Sequence, residues 1–252
     1  MIVKSTLPVE MAFTAFEDDI CLAFTRKTLL RGGLIEVACE MIDTQGNASK
    51  SSDDPALLLL RSALLSLSSS FFGSQHREER IATKGYAQYG EVLRQLNGAL
   101  MVPQRQTTNE TILTVVTCML LELFLPTGPS NFQKHQRGIE ALIRLRGPPT
   151  ETIGDTATIF RGLRVVSIIG ALVQGKPSIY AQKEWKLAPV QYTNEIGKLL
   201  ADLFSILGTY SHVSSVGSTN TNFTDTVQLS ARSSCATANL HLPLNPANVN
   251  HC

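Results

Sequence analysis

The segment Thr107–Pro149 constrains the fold of this chain more than any other, because start and stop signals there bracket two successive helices. Thr107 and Glu110 have the spacing of a capping box, in which a hydroxyl and a carboxylate satisfy free amides at a helix start. The apolar residues that follow run up to Pro126, which cannot donate a backbone hydrogen bond and therefore ends the helix. This first helix is almost entirely apolar, so we expect it to be buried.

The second helix of this segment is amphipathic. Ser130 and Gln133 repeat the capping-box spacing, and Gly147, backed by two prolines, provides the stop signal. Its apolar residues recur at helical spacing and form one stripe, namely Phe132, Ile139, Leu142 and Ile143. A buried helix followed by an amphipathic one across a tight loop predicts an antiparallel pair.

Most of the remaining chain also has helical patterning. Asp53-Asp54-Pro55 is typical of a helix start, and the helix behind it is expected to end at Gly73 in a left-handed conformation. Further helices are predicted over Phe13–Leu30, Leu34–Ile42, His76–Met101, Asp155–Gln174 and Pro189–Leu207. Because no segment alternates with a period of two, the predicted fold is all-α: a multi-helix antiparallel domain over residues 10–208.

Three glycines interrupt the predicted helix His76–Met101. Gly85, Gly90 and Gly98 each cost up to ~1 kcal/mol relative to alanine in a helix. They indicate either close helix packing or breaks in the helix.

The composition changes after about Thr209. Ser, Thr and Asn dominate the last stretch, and Asp225 and Arg232 are its only charged side chains apart from three histidines. Such a segment cannot bury enough apolar surface to offset the entropy of ordering it. Residues 209–252 are therefore predicted to form a disordered tail.

Bulk properties exclude several classes of protein. The net charge is +1, from 22 basic and 21 acidic residues, so no overall field draws the chain to nucleic acid or to a membrane surface. The apolar runs Leu57–Leu67 and Ile112–Leu125 are too short to span a bilayer, and Arg61 and Glu122 interrupt them. No signal peptide is recognised, and the sequons at Asn47, Asn109 and Asn222 are interpreted as chance matches.

The five cysteines are scattered, and none forms a CxxC pair. An odd number of cysteines without a signal peptide indicates a reducing compartment rather than a disulfide framework. Cys118, inside the apolar helix, is predicted to be a small buried hydrophobic residue.

The sequence indicates no catalytic, cofactor-binding or metal-binding residue, and the chain is not expected to be an enzyme. No phosphate-binding, nucleotide-binding, hydrolase or metalloprotease motif occurs. His135, beside Lys134 and Arg137, is interpreted as part of a solvated basic face rather than as a base. Arg144 and Arg146 complement the negative end of a helix, which we prefer to a phosphate site.

Two other features have structural explanations in preference to functional ones. The paired acids Asp53-Asp54 and Glu78-Glu79 each stand at a helix start, where the helix dipole favours negative charge. Trp185, the single tryptophan, is predicted in a loop, where it plugs the domain surface or anchors an interface.

In the order of its features, the chain resembles the fungal-specific transcription factor domain, the regulatory region downstream of the binuclear zinc cluster in many fungal gene regulators. The stretches that carry the resemblance are FTAFEDDICLAFTRKTL, LLLLRSALLSLSSSFFG, NETILTVVTCMLLELFL with FQKHQRGIEALIRLRGP, and IFRGLRVVSIIGALVQGKPSIYAQKEWKLAP. Residues that match the most recognisable family pattern are Glu122, His135, Gly138, Ala141, Leu142, Ile143 and Gly147.

The resemblance implies a transcription-regulatory protein or fragment in the nucleus, or otherwise in the cytoplasm, that could be linked to a metabolic gene cluster. The chain departs from the family in two ways: its cysteines cannot form a six-cysteine zinc cluster, and the family's further helices beyond Leu207 are replaced by the polar tail. We therefore expect a truncated or auxiliary regulator without specific DNA binding of its own. Alternatives are a helical scaffold unrelated to transcription and a small-molecule-binding domain or enzyme without a recognisable motif.

We expect the chain to bind protein partners, with a homodimer as the default. A small-molecule effector is a further possible partner, and association with a membrane is not expected. The missing helices would leave the apolar stripes Phe160–Leu172 and Ile196–Leu207 partly open, and an open apolar patch marks an interaction surface.

Overall fold

The computed structural model describes residues 16–29, 34–46, 54–174, 178–186 and 188, and every regular element within them is helical. The α-helices are α1 Glu17–Thr28, α2 Leu34–Gly46, α3 Pro55–His76, α4 Glu79–Leu100, α5 Pro103–Gln106, α6 Asn109–Phe124, α7 Asn131–Arg146, α8 Asp155–Gln174 and α9 Lys183–Lys186. A 3-10 turn at Ile179–Ala181 precedes α9. The all-α prediction is confirmed. The predicted helix Pro189–Leu207 and the predicted tail 209–252 lie outside the described residues.

Capping chemistry sets the starts of α3 and α6. Asp54 caps α3 as predicted, since its carboxylate accepts a first-turn amide at 2.9 Å and Pro55 follows it. At α6 the predicted cap is wrong by one residue: Thr108, not Thr107, accepts the amide of Thr111, at 3.3 Å. Thr107 instead ends the short helix α5, which the sequence pattern did not indicate.

The bounds of α7 and α8 agree with their predictions. Ser130 directly precedes α7, although its side chain makes no capping hydrogen bond. Gly147 ends α7 with a φ of 80°, and its amide donates to the carbonyl of Ile143 at 3.0 Å. Helix α8 runs over the predicted residues Asp155–Gln174.

The end of α3 differs from its prediction. The helix continues through Gly73 to His76, and the left-handed residue is Arg77, with φ 61° and ψ 32°. Gly73 serves packing rather than a turn, because a Cβ there would lie 2.4 Å from the amide nitrogen of Ala82 in α4. With the turn displaced, α4 begins at Glu79 rather than at His76.

Helices α3 and α4 approach each other closely along small residues. A Cβ on Gly85 would lie 2.4 Å from both the amide nitrogen and the Oγ of Ser70. Ser66 donates its hydroxyl to the carbonyl of Gly85 at 3.0 Å. Of the three glycines in α4, Gly85 is therefore required by helix packing, whereas a Cβ on Gly90 or Gly98 would meet no atom within 4 Å.

The core is centred on α3 and α6. Helix α3 packs against α1, α4 and α6, and α6 packs in turn against α7, which confirms the predicted burial of α6 beneath an amphipathic partner. Side chains of the two central helices that are almost completely buried include Leu60, Leu64, Leu67, Ile112, Leu113 and Leu121. Within the described residues, α3 is the one helix long and apolar enough to cross a membrane. In its apolar stretch, however, 61% is buried inside the protein.

Helix α1 is attached to α4 by ion pairs. The carboxylate of Glu17 is 3% exposed and pairs with Arg80 and with Lys84, whose Nζ lies 3.0 Å away. Lys84 also contacts Asp18 at 2.8 Å. The hydrogen bond from Arg80 holds the pKa of Glu17 below its usual value, so Glu17 remains ionised at the surface between the two helices.

The apolar stripe of α8 was expected to be partly open. Phe160, Leu163 and Ile168 are buried, and Val166 and Ile169 are half-buried. The second stripe, Ile196–Leu207, lies outside the described residues. Association through these stripes stays a prediction.

We predict opposite effects for alanine at different glycines of α4. Gly85→Ala should lower the free energy of unfolding by about 2 kcal/mol, because the added methyl would overlap Ser70 and force α3 and α4 apart. Gly98→Ala, at an exposed position with open space, should raise it by up to ~1 kcal/mol through helix propensity. Urea denaturation of the two variants measures both effects. A similar gain in both would contradict the close packing of α3 and α4.

Candidate functional site

A buried carboxylate joins three helices of the domain. Glu122 in α6 is 1% exposed, and its Oε1 accepts the hydroxyl of Tyr89 from α4 at 2.9 Å. Thr127, in the α6–α7 turn, donates its amide to Oε2 at 2.8 Å and its hydroxyl to Oε1 at 2.5 Å. Asn131, at the start of α7, adds its side-chain amide at 3.4 Å. We call Glu122, Tyr89, Thr127, Asn131 and the neighbouring His135 the Glu122 network.

Every group around Glu122 is a hydrogen-bond donor. The two amides and two hydroxyls present four protons to two oxygens, which is the complement of an ionised carboxylate rather than of a neutral acid. A buried charge is tolerated when donors replace the water it has lost. The network therefore fixes the positions of α4, α6 and α7 relative to one another.

The proton positions in the network follow from Tyr89. Burial raises the pKa of Tyr89 far above its usual range, so the phenol keeps its proton and donates it to Glu122. The Nε2 atom of His135 lies 2.8 Å from the same phenol oxygen. Because that oxygen has already used its single proton, Nε2 carries a hydrogen and donates to Tyr89. Protons therefore point in one direction, from His135 through Tyr89 to Glu122.

The interpretation of His135 as a solvated residue was wrong. Its side chain is half-buried against Tyr89, and burial lowers the pKa of His135 despite the opposing charge of Glu122. In the sequence, Glu122 stands out as an interruption of an apolar run, whereas Tyr89 lies in a different predicted helix, His76–Met101, so the pattern along the chain does not join them. The available signal was a single acid in an otherwise apolar helix, since such an acid requires donors from neighbouring elements.

The other basic residues of α7 lie on its surface. Lys134 donates to the side chain of Asn131 at 3.1 Å, and Arg144 pairs with Glu140, one turn earlier, at 2.9 Å. Arg137 is exposed. These cations do not converge on one point, so α7 presents a dispersed basic surface rather than a phosphate site.

Arg146, the last residue of α7, has different surroundings. Its Nη2 donates to Oγ1 of Thr156 at 3.3 Å, and burial lowers the pKa of Arg146. Beside it lies a shallow surface cleft with little enclosed space. The apolar part of the wall comprises Ile112, Ile143, Pro149, Ile159, Phe160, Leu163 and Tyr180.

An aromatic cluster supports this wall from behind. The ring of Trp185 stacks on Phe160, with centroids 6.0 Å apart and planes inclined by 6°, and meets Tyr180 edge-on at 5.4 Å. Trp185 is 5% exposed and lies in α9, not in the predicted loop. Its ring fills the space beneath the surface, in agreement with the first of the two roles that the sequence suggested, a plug of the domain surface.

The described part of the chain contains three cysteines, and all are free and buried. Burial raises the pKa of Cys39 to about 11 and that of Cys118 to about 12, and it raises the pKa of Cys21 as well. Cys118 is the small buried residue that the sequence predicts. In the same residues, no three His, Cys, Asp or Glu side chains are grouped so that they could hold a metal ion.

Neutralising Glu122 should destabilise the domain more than neutralising a surface acid. Glu122→Gln replaces an acceptor by an amide that faces donors, so we expect a loss of about 2–3 kcal/mol in the free energy of unfolding. The control is Glu140→Gln, which breaks an exposed pair with Arg144 and should change stability by less than ~0.5 kcal/mol. Equal losses of the two variants in urea denaturation would show that the Glu122 network contributes no more to stability than an exposed ion pair does.

Stability should fall as the pH drops below about 6.5, the unfolded pKa of histidine. The folded pKa of His135 is lowered, so its contribution is complete above the unfolded value and is lost as the pH falls through the folded value. Thermal melting at pH 7.5 and pH 5.5 measures the effect. His135→Gln should reduce the difference between the two pH values. An undiminished difference in His135→Gln would refute the assignment.

Comparison with known proteins places these features in a family. A family model described as the fungal specific transcription factor domain matches residues 16–216, well over half of the chain. An uncharacterized protein of Emericella nidulans is 26% identical over 147 residues, which cover 58% of this chain and 30% of that relative. The chain thus spans less than a third of the relative's length, and no solved structure matches it. On the strength of the family match, the chain belongs to the fungal-specific transcription factor domain family.

Proposed function

We propose that this chain regulates transcription in the nucleus through protein partners or a small-molecule effector, without reading a DNA sequence itself. The observation that carries the proposal is the family match over residues 16–216, which includes all the described helices. A regulatory role also agrees with the description of the matching family, a fungal specific transcription factor domain. Control of genes for a metabolic pathway belongs to the same proposal.

The charge distribution supports regulation without sequence-specific DNA contact. The chain carries a net charge of +1, and recognition of duplex DNA usually relies on a concentrated positive surface. On α7, Lys134 and Arg144 each have a polar neighbour, Asn131 and Glu140 respectively. Phosphate contacts would have to compete with these partners.

Exposed apolar side chains near the end of α7 suit a protein partner. Leu145 is 61% exposed, and Ile153, in the connection to α8, is 70% exposed. Apolar residues that protrude in this way gain burial when a partner, including a second copy of the chain, covers them. A homodimer remains the default partner in this proposal.

Tethering the full chain to DNA tests the proposal directly. The chain would be fused to a heterologous DNA-binding domain in a fungal host, upstream of a reporter gene. We expect the fusion to enter the nucleus and to change reporter expression several-fold, because the domain recruits or blocks other factors.

Two controls complete this experiment. The chain without the DNA-binding domain should leave the reporter unchanged, and the DNA-binding domain alone sets the baseline. A fusion that is nuclear and abundant but transcriptionally inert in both directions would overturn the regulatory proposal. A reporter response to the untethered chain would overturn the claim that it does not read DNA.

A further inference from the structure

We propose that helix α1 is an exchangeable occupant of its place in the fold, and that an acidic helix of a partner protein binds there after displacing it. The surface beneath α1, which we call the α1-binding face, consists of Ser69, Phe71 and Phe72 in α3 and of Arg80 and Lys84 in α4. The proposal specifies the kind of protein partner and rests on the proposed function in that respect alone.

The residues that α1 buries are the first reason. Its fully buried residues are Glu17, Cys21 and Thr25, and none of them is a large apolar side chain, whereas Phe16 and Ile20 are exposed. The Thr25 hydroxyl is buried without a hydrogen-bond partner among the described residues, so it regains water when α1 leaves. Apolar burial therefore holds α1 less firmly than it holds the central helices α3 and α6.

Ion pairs at the N-terminal end of α1 are the second reason. Glu17 pairs with both Arg80 and Lys84, and Lys84 also pairs with Asp18. The side chains of Arg80 and Lys84 are themselves exposed, so water and salt ions reach these pairs and weaken them. A carboxylate from another molecule can therefore approach the two cations and replace those of α1.

The contacts of α1 define the helix that can replace it. Cys21, a small residue, lies against Ser69, and the ring of Phe24 lies 6.0 Å from that of Phe71 and 5.3 Å from that of Phe72. A fitting helix therefore has a carboxylate in its first turn, small residues four and eight positions later, and an aromatic residue seven positions later.

The α1-binding face favours a helix over a nucleic acid. A DNA duplex would contact Arg80 and Lys84 through its phosphates, but it would leave the rings of Phe71 and Phe72 uncovered, because its bases are stacked inside the double helix. An acidic amphipathic helix contacts the cations and the rings at the same time, as α1 does. The partner is therefore inferred to be a protein.

The experiment measures binding of a labelled peptide with the sequence of residues 16–30, carrying Cys21→Ser, to the purified full chain by fluorescence anisotropy. In the native chain α1 covers the α1-binding face, so the apparent affinity is reduced to the fraction of molecules from which α1 has left. Glu17→Gln in the chain, but not in the peptide, weakens the internal helix. We expect this variant to bind the peptide about 10-fold more tightly than the native chain, the factor for one charge-assisted hydrogen bond.

A second substitution in the Glu17→Gln chain tests the residue assignment. Among the described residues, Arg80 forms its ion pair with Glu17, so in this chain Arg80→Gln affects the carboxylate of the peptide alone and should weaken peptide binding by about 10-fold. The matched control is Arg94→Gln on the same helix, which breaks an exposed pair with Glu91 and should leave the affinity within ~2-fold. Circular dichroism verifies that each variant is folded.

Several outcomes would each overturn the exchange of α1: equal peptide affinity of the native and Glu17→Gln chains, equal effects of Arg80→Gln and Arg94→Gln, or equal binding of a peptide with the same composition in scrambled order. Displacement of the bound peptide by a DNA duplex would also overturn it, in favour of a phosphate-binding surface. If Glu17→Gln does not fold, Asp18→Asn loosens α1 through Lys84 and should tighten peptide binding about 2-fold, and unchanged affinity refutes the proposal.

This experiment is independent of the reporter assay. Transcriptional inactivity of the tethered chain would refute the regulatory function and leave a measured peptide affinity standing. Failure of the peptide to bind would refute the exchange of α1 and leave a reporter response standing.

Discussion

The arrangement of the domain depends on the placement of one negative charge in its interior. Glu122 belongs to the central helix α6, where water cannot reach its carboxylate. The cost of removing this charge from water is offset only if α4, the α6–α7 turn and α7 all bring their donors to it. Apolar side chains would tolerate many mutual orientations of these helices, but a carboxylate that needs four directed hydrogen bonds tolerates few.

The parts of the fold that local chemistry determines were predictable from the sequence. The start at Asp54 and the span Asp155–Gln174 depend on neighbouring residues, whose capping and periodicity are visible along the chain. Gly73 could not be interpreted in the same way. It has the features of a helix end, yet it is required by the backbone of Ala82 on another helix, and such contact is invisible before the helices are placed.

The candidate sites were less predictable because their residues are far apart in sequence. Tyr89, Glu122 and His135 come from three helices, and each alone has an ordinary explanation. Arg146 and Phe160 face one cleft only because α7 and α8 are held together at that end. Since the Glu122 network fixes the start of α7, it also determines where the last residue of that helix stands. A rigid helix thus supports the cleft at one end and the buried charge at the other.

The three buried thiols of the described residues can report how often parts of the domain open. Thiolates are the reactive form of cysteine, and burial keeps the thiols of Cys39 and Cys118 protonated at neutral pH. A thiol reagent must therefore wait until the helix around its target separates from the core. Cys21, Cys39 and Cys118 lie in α1, α2 and α6, so the rate at which each is alkylated measures how often that helix leaves the fold.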